Sequence, residues 1–422
     1  MKQTLTVVAL SVCLAAPARA QVVPTGDGVS LTQAIAIALA REPATRAARA
    51  DVEVARGMSL QARQRANPTV SLERRQEPGG TDTFTDVGIE WPLELFRRAP
   101  RAAVADAEIR VAEHDEAEVR RRVAGDVAAA YGEVAAAIRE LAVMDEVLAA
   151  ATQQLELLRA RAAQGAIPTL DRDMVDLEVR RIQAERMVQV GRSDRALIRL
   201  KRLLGMPPDS PLRVTQSLED LVPAVSEDRA TAPTRADILA SEARIRVEEQ
   251  RVETARQEGR FDMSVFGSYM RMDAGFPQLG VNAGGGVERV RGQFNYFTAG
   301  AMVTLPLRNR QQGSVAAATA ARQGAEARLE AARLTAASEV AEARAWHEQA
   351  RNAVSLYQGG IRPLARRNLE TVRETYQLGR TTVFDVLAEQ RRFLDAERAY
   401  TEALSDAYAS RVSLSRAIGD IR

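Results

Sequence analysis

The sequence predicts a mainly α-helical chain interrupted by two β-hairpins, and three observations carry that prediction. After Pro100 the sequence reads as unbroken helix to Gln164, about 65 residues or roughly 97 Å, too long for an ordinary globule. Short runs of alternating apolar and polar residues lie between turn-forming Pro and Gly. Landmarks also recur at one spacing. Gly165 and Gly379 are 214 positions apart (379 − 165), and so are Asp171 and Asp385, Pro92 and Pro306, and Gly205 and Gly419. Four coincidences at one offset indicate a duplicated chain of two homologous halves, packed together or against copies from other chains.

Taken in order, residues 21–30 are an extended lead-in, and residues 31–66 read as helix with a break at Pro43. Asn67-Pro68 stops that helix. Thr69–Arg74 alternates, with Val70 and Leu72 on one face; Pro78-Gly79-Gly80 turns the chain; Phe84–Leu93 alternates again, with Val87, Ile89, Trp91 and Leu93 facing one way. The long helix and a second helix over Leu170–Leu204 are joined by Gly165-Ala166-Ile167-Pro168-Thr169-Leu170-Asp171. There Gly165 frees the backbone to end one helix, Thr169 helps start the next, and Asp171 places a negative charge in its first turn. The helices over 31–66 and 170–204 together nearly match the long one, so they are expected to stack end to end beside it, with Met206–Pro233 wrapping the junction from outside.

The second half repeats the order. Thr234–Gly259 reads as helix, and Phe261–Met272 and Phe294–Leu305 as strands joined by a longer Gly-rich loop, Asp273–Gln293. Residues 309–378 return to helix, Gly379-Arg380-Thr381-Thr382-Val383-Phe384-Asp385 makes the second turn, and Thr382–Ile418 is the last helix. Shifted by 214, Ala301, Val303 and Leu305 fall on Val87, Ile89 and Trp91, so the duplication preserves which strand face is apolar. The last helix carries a heptad, Val386, Phe393, Tyr400, Ala407 and Leu414, beside a second stripe of Leu387, Leu394 and Tyr408. Two neighbouring seams suit a helix held between two partners. The expected units are a signal segment 1–20, a first repeat 21–205, an equatorial connection 206–233 and a second repeat 234–422.

Lys2, the apolar run Leu5–Ala16 and Ala18-Arg19-Ala20 form a secretion signal, with the mature chain expected to begin at Gln21 and to carry no lipid. The only cysteine, Cys13, lies inside that segment, which leaves the mature chain without disulfides, thiol chemistry or cysteine ligands. The formal net charge is +2 and falls to zero once Lys2 and Arg19 are gone, so nothing favours nucleic acid. Aromatics are only 4% of the residues, which suits long, closely packed helices better than one large core. No catalytic constellation, cofactor motif or metal-binding spacing is present. His114 and His347 are far apart, each in a helix among charges, and read with Glu113-His114-Asp115-Glu116 as solvated helix surface.

The strands need more than one chain. Four cannot close a barrel, and lipid tolerates no open edge; three chains would supply twelve strands. Leu31-Thr32-Gln33-Ala34, Asn67-Pro68 before the first strand, Trp91-Pro92-Leu93 after the second, and Tyr376-Gln377-Leu378-Gly379 with Val383-Phe384-Asp385-Val386-Leu387 together resemble the TolC family of outer-membrane efflux channels, across essentially the whole mature chain. The Asn-Pro and Pro92-Leu93-Glu94-Leu95 features, followed by Arg-rich helix, resemble its heavy-metal branch of the cobalt-zinc-cadmium type. The resemblance implies a homotrimer with a 12-stranded barrel in outer-membrane lipid and a long periplasmic α-helical barrel. Its tip would dock on a periplasmic adaptor and an inner-membrane efflux pump. A periplasmic coiled-coil adaptor or scaffold without a pore is the alternative.

The resemblance also places a gate. Asp385 matches the family's first gate aspartate after the Tyr-x-x-Gly turn, and Tyr376 and Arg380 are the candidates for latching the tip. Ala388 stands where many relatives have a second aspartate, and Thr381 where an arginine is common. Gly165, Asp171 and Gly379 complete the repeat-equivalent tip.

Overall fold

A computed structural model describes residues 28–78, 82–222 and 235–420. The expected signal segment, most of the lead-in and the later part of the 206–233 connection lie outside the described residues. Helix α1 (Leu31–Arg41) opens with a capping box: the Ser30 hydroxyl accepts from the Gln33 N–H, and the Gln33 side chain accepts from the Ser30 N–H. Pro43, whose missing N–H costs nothing at a helix start, opens α2 (Pro43–Arg63). That helix stops at Arg63 rather than at 66, because Pro68 pulls the residues before it into extended backbone.

Strands β1 (Thr69–Gln76) and β2 (Thr83–Pro92) form the first hairpin, and α3 (Arg98–Ala163) runs for 66 residues, about 99 Å. Helix α4 (Thr169–Leu203) returns beside it. Thr169 does not cap α4, contrary to expectation; Pro168 fixes the extended cap conformation and has no side-chain acceptor to offer. A short helix α5 (Leu218–Leu221) sits in the connection, where Val214 bridges Val29.

Helix α6 (Ala236–Glu258) begins the second half. Strands β3 (Asp262–Val281) and β4 (Val287–Thr304) overturn the expected loop over 273–293. Most of that stretch is ladder, with a register shift between Gly275 and Leu279 and a tight turn over Asn282–Gly286. Its glycines lie in the strands and the turn alike, so Gly content alone misreads it as loop. The helix expected over 309–378 is divided into α7 (Gln312–Leu356), a π-turn (Tyr357–Ile361) and α8 (Arg362–Gln377). Pro363 has no N–H and its ring crowds the Gly359 carbonyl, so one wide turn absorbs the misfit. Helix α9 (Val383–Ile418) closes the chain.

Each helix-ending landmark glycine has the same hydrogen bonding. Gly165, Gly205, Gly379 and Gly419 all have positive φ. In each, the glycine N–H bonds the carbonyl three residues back and the next N–H bonds the carbonyl five back, as in Gly165 to Ala162 (3.0 Å) and Ala166 to Arg161 (3.0 Å). The 214-residue spacing thus repeats a backbone motif as well as residue types.

Four columns lie side by side. The first is α2 above α4, the second α3, the third α6 above α9, and the fourth α7 continuing into α8. Both stacked columns have their junctions near the middle of α3. Arg41 at the end of α1 crowds Gly205 after α4, and Arg235 before α6 reaches the Ala417 carbonyl on α9 (3.3 Å). The main core lies at this level, around Tyr131, Leu200, Leu204, Leu218, Leu404 and Tyr408. A second core of Val147, Leu155, Leu158, Val175, Ile182, Leu369, Leu387 and Phe393 holds the half that ends in the two helical turns. All five heptad residues of α9 are buried, as are Leu387, Leu394 and Tyr408, and α9 touches both α3 and α7. His347 is buried, not solvated: with Ala343, Ala350 and Val354 it forms the stripe that α7 turns toward α9, and its Nδ1 lies 3.2 Å from the Ser410 hydroxyl.

Candidate functional site at the helical turns and the sheet face

The turn end collects the residues singled out by sequence. Thr382 caps α9: its hydroxyl accepts from the Asp385 N–H (3.4 Å). The Asp385 Oδ2 accepts in return from the Thr382 N–H (2.9 Å) and hydroxyl (2.7 Å). These bonds, the Thr382 hydroxyl first, hold the Asp385 carboxyl below its usual range. Asp385 is exposed, and its Oδ1 has no hydrogen bond among the described residues.

Tyr376 is half-buried against the core that the two repeats share, with Asp171 of the first repeat nearby. Burial pushes the Tyr376 phenol up, and the nearby negative charge of Asp171 pushes it further, against a smaller pull from Arg161. Thr381 lies 3.4 Å from Thr375, hydroxyl to hydroxyl. Arg380 is exposed and enters the turn through its backbone N–H, bonded to the Thr375 carbonyl (3.0 Å). Gly165 and Gly379 sit at corresponding bends. Asp385 and Tyr376 therefore do different things: one closes its own helix end, and the other packs across repeats.

Sequence reading missed a charge ladder between α4 and α9. Glu178 is buried on α4; its carboxylate accepts from Arg181 (2.6 Å) and from Arg391 of α9 (2.8 Å). One heptad on, Glu185 accepts from Arg181 (2.6 Å) and from Arg398 of α9. Burial raises the Glu178 carboxyl, but the two guanidinium groups outweigh it and hold it low. The seven-residue spacing of both the acids and the arginines was the available signal. A second missed cluster lies beside the π-turn. Glu397 is buried between Arg362 (2.8 Å) and Arg139 (3.2 Å), and both guanidinium groups lie over the Tyr400 ring. Of the run Glu113–Glu116, expected as solvated surface, only Glu113 is fully exposed; the other three are half-buried, and the acids pair with Arg56, Arg244 and Arg49. Among the described residues, no three His, Cys, Asp or Glu side chains converge as a metal site. No described helix is long and apolar enough to cross a membrane.

The opposite end of the molecule is the antiparallel sheet β1-β2-β3-β4. Its register stacks apolar residues in layers on one face: Met263 with Val303; Trp91, Val265 and Ala301; Val70, Ile89, Gly267 and Ala299; then Leu72, Val87, Tyr269 and Phe297. Most of these large side chains are exposed, Leu72, Val70 and Phe297 to 76%, 68% and 84%. Trp91 Nε1 donates to the Ala66 carbonyl (3.0 Å) at the helix end of the band, and the Tyr269 and Phe297 rings meet at a tilt, 5.0 Å between centroids, at the far end. The reverse face is mixed: Ser71, Glu73, Asp86, Glu90, Ser264 and Ser268 share it with Phe266, Met270, Met272, Tyr296 and Met302.

The sequence matches the outer membrane efflux protein family over residues 34–206 and 234–420, most of the chain. The nickel-cobalt-cadmium resistance protein NccC of Alcaligenes xylosoxydans xylosoxydans is 26% identical over 306 residues, 71% of this chain and 65% of that protein. The matched part thus spans slightly under two thirds of that relative's length. The open-state MtrE outer membrane channel of Neisseria gonorrhoeae superposes with a TM-score of 0.73 at 19% identity, covering 92% of this chain and 88% of that one. The outer membrane protein VceC of Vibrio cholerae gives 0.70 at 20% identity, covering 92% and 96%. At such identities these structures speak for the fold alone.

Proposed function

This chain belongs to the outer membrane efflux protein family, and from that premise we propose that it is the passive exit duct of a tripartite efflux system, coupled to a periplasmic adaptor and an inner-membrane pump. One observation carries the reading. The sheet presents an exposed apolar face across four strands, aromatic at both ends and free of charge in its four inner layers, whereas the face behind it carries the charges of Glu73, Asp86 and Glu90 among apolar residues. That is the pattern of a barrel wall between lipid and water. The order of parts supports a homotrimer. Strands β1 and β4 are the open edges of the sheet, while α2 with α4 and α7 with α8 are the open edges of the helical layer. Head-to-tail closure of three copies covers both kinds of edge in one operation and yields a twelve-stranded barrel continued by a helical tube. The repeats 21–205 and 234–422 then form the wall, and the 206–233 connection a belt at its equator.

The Alcaligenes relative is named for nickel, cobalt and cadmium resistance, and heavy-metal cations are the cargo we infer here. At the helical turns, three copies of Asp385 form a ring of carboxylates that favours cations at close range. The free Oδ1 supports that role, because capping occupies only Oδ2. Tyr376, beside Asp171, holds the turns of the two repeats in register, with Arg380 and Thr381 flanking.

The test is conductance across a planar bilayer, with the mass of the assembly measured on the same sample. A duct gives discrete channels and a trimer mass. A periplasmic monomer with no conductance would leave only the adaptor or scaffold alternative.

A further inference from the structure

The apolar face of the sheet ends abruptly in arginine. Beyond the layer of Leu72, Val87, Tyr269 and Phe297, the next residues on the same face are Arg74, Thr85, Arg271 and Asn295. Two layers further, Arg291 of β4 pairs with Gly275 of β3 on that face. All three arginines are exposed. Their setting differs from that of Arg75, which points to the other face and is tied to Glu73 (2.9 Å) and to the Phe84 ring. Arg74 and Arg291 have no ion pair among the described residues. Arg271 reaches only Asp273, at 3.8 Å, a carboxylate already taken by Gln293 (3.1 Å) and Thr83 (3.4 Å).

We propose that Arg74, Arg271 and Arg291 form a strip that binds the phosphate groups of anionic lipid in the outer leaflet. The proposal rests on the barrel reading above. It follows from depth: a lipid whose chains lie against Val70–Leu72 and Phe297 places its headgroup beside the next layer, where the guanidinium groups stand. Arginine matches phosphate with two parallel N–H donors, and the nearby aromatic pair is the usual marker of the interface. Arg74 and Arg271 lie two strands apart, about 10 Å, with only Thr85 between them, and Arg291 stands two layers further out, beyond the Asp273 and Gln293 layer. The two edge strands each carry one of the arginines, so closure of the barrel continues the strip around its circumference.

The test uses the full-length assembly in neutral detergent, titrated in native mass spectrometry with a bisphosphorylated lipid A-type glycolipid and with its phosphate-free counterpart. The expected result is a preference for the phosphorylated lipid of about tenfold or more. That preference should disappear in the triple variant Arg74→Gln, Arg271→Gln, Arg291→Gln, with conductance in zwitterionic bilayers unchanged. Equal retention of the two lipids by the unaltered protein overturns the proposal, whether or not the variant assembles. So does an undiminished preference in an assembled variant. Failure of the unaltered protein to conduct sinks the duct reading instead, and is seen separately.

Discussion

At the residue scale, Asp385 has two tasks that one substitution separates. Asp385→Asn keeps the size of the side chain but removes the charge. If the carboxylate lines a constriction, cation selectivity falls while the trimer persists. If it serves only as a cap, the reversal potential across a salt gradient stays at its original value. Because the folded carboxyl is held low by Thr382, its stabilising bonds are complete above the ordinary carboxylate range and are lost as pH falls through the depressed value. The variant should therefore show a flatter loss of stability in acid than the unaltered protein. Gly132 is a different kind of residue. It lies in α3 where the buried ring of Tyr408 presses on the backbone, and the Tyr408 hydroxyl donates to the Ala128 carbonyl (2.9 Å). Burial pushes that phenol up to about 12. A methyl group at 132 would run into the ring, so Gly132→Ala should cost about 1–3 kcal/mol. Thermal or denaturant unfolding checks this; an unchanged midpoint would mean that α9 shifts freely on α3.

At the element scale, the connection of α9 to α4 differs from its connection to α3. Against α3 it makes a close interface; toward α4 it is bridged chiefly by long side chains, Glu178 with Arg391 and Glu185 with Arg398. Such a contact is electrostatic and easier to release than a packed seam. Glu178→Gln should weaken both guanidinium bonds at once and loosen the turn end by about 1–3 kcal/mol. Hydrogen exchange in α9 should then quicken around Arg391 and stay slow around Tyr408. Uniform protection along α9 would show that the ladder does not hold this end. Acid should mimic the substitution. The Glu178 carboxyl is held low, so the ladder is intact above the ordinary glutamate value and opens as pH drops through the depressed one.

At the scale of the whole molecule, topology follows from which end of the sheet joins the helices. The chain enters and leaves the sheet at residues 66–69, 92–98, 258–262 and 304–312, so the hairpin turns point away from the bundle. The second hairpin extends beyond the first, since β2 ends against Asp273 while β3 and β4 continue to Val281 and Val287. In an outer-membrane barrel with periplasmic helices, this ribbon projects outside the cell. An epitope placed in the Asn282–Gly286 turn should be reached by antibody on intact cells and leave assembly unchanged. Labelling only after permeabilisation of the outer membrane would invert the topology.

The sequence by itself determined the elements, their duplication and their amphipathic faces. Those depend on local properties: glycine at a left-handed bend, proline at a helix start, and periods of two or of three and a half along the chain. The four glycine-ended helices and the heptad of α9 were legible for that reason, and so was the candidate carboxylate at 385 with its threonine at 382. Tertiary structure alone decided what depends on partners distant in sequence. The glycine-bearing stretch 273–293 became strand because each half supplies the other's hydrogen bonds across the hairpin. His347 became buried because α9 covers that stripe of α7, and nothing near residue 347 announces it. The ladder from α4 to α9, the approach of Tyr376 to Asp171 and the alignment of Arg74 with Arg271 beyond the apolar band likewise arise from register between elements. A side chain's spacing says which face it occupies; only packing says what stands opposite, and charge, burial and hydrogen bonding depend on that opposite group.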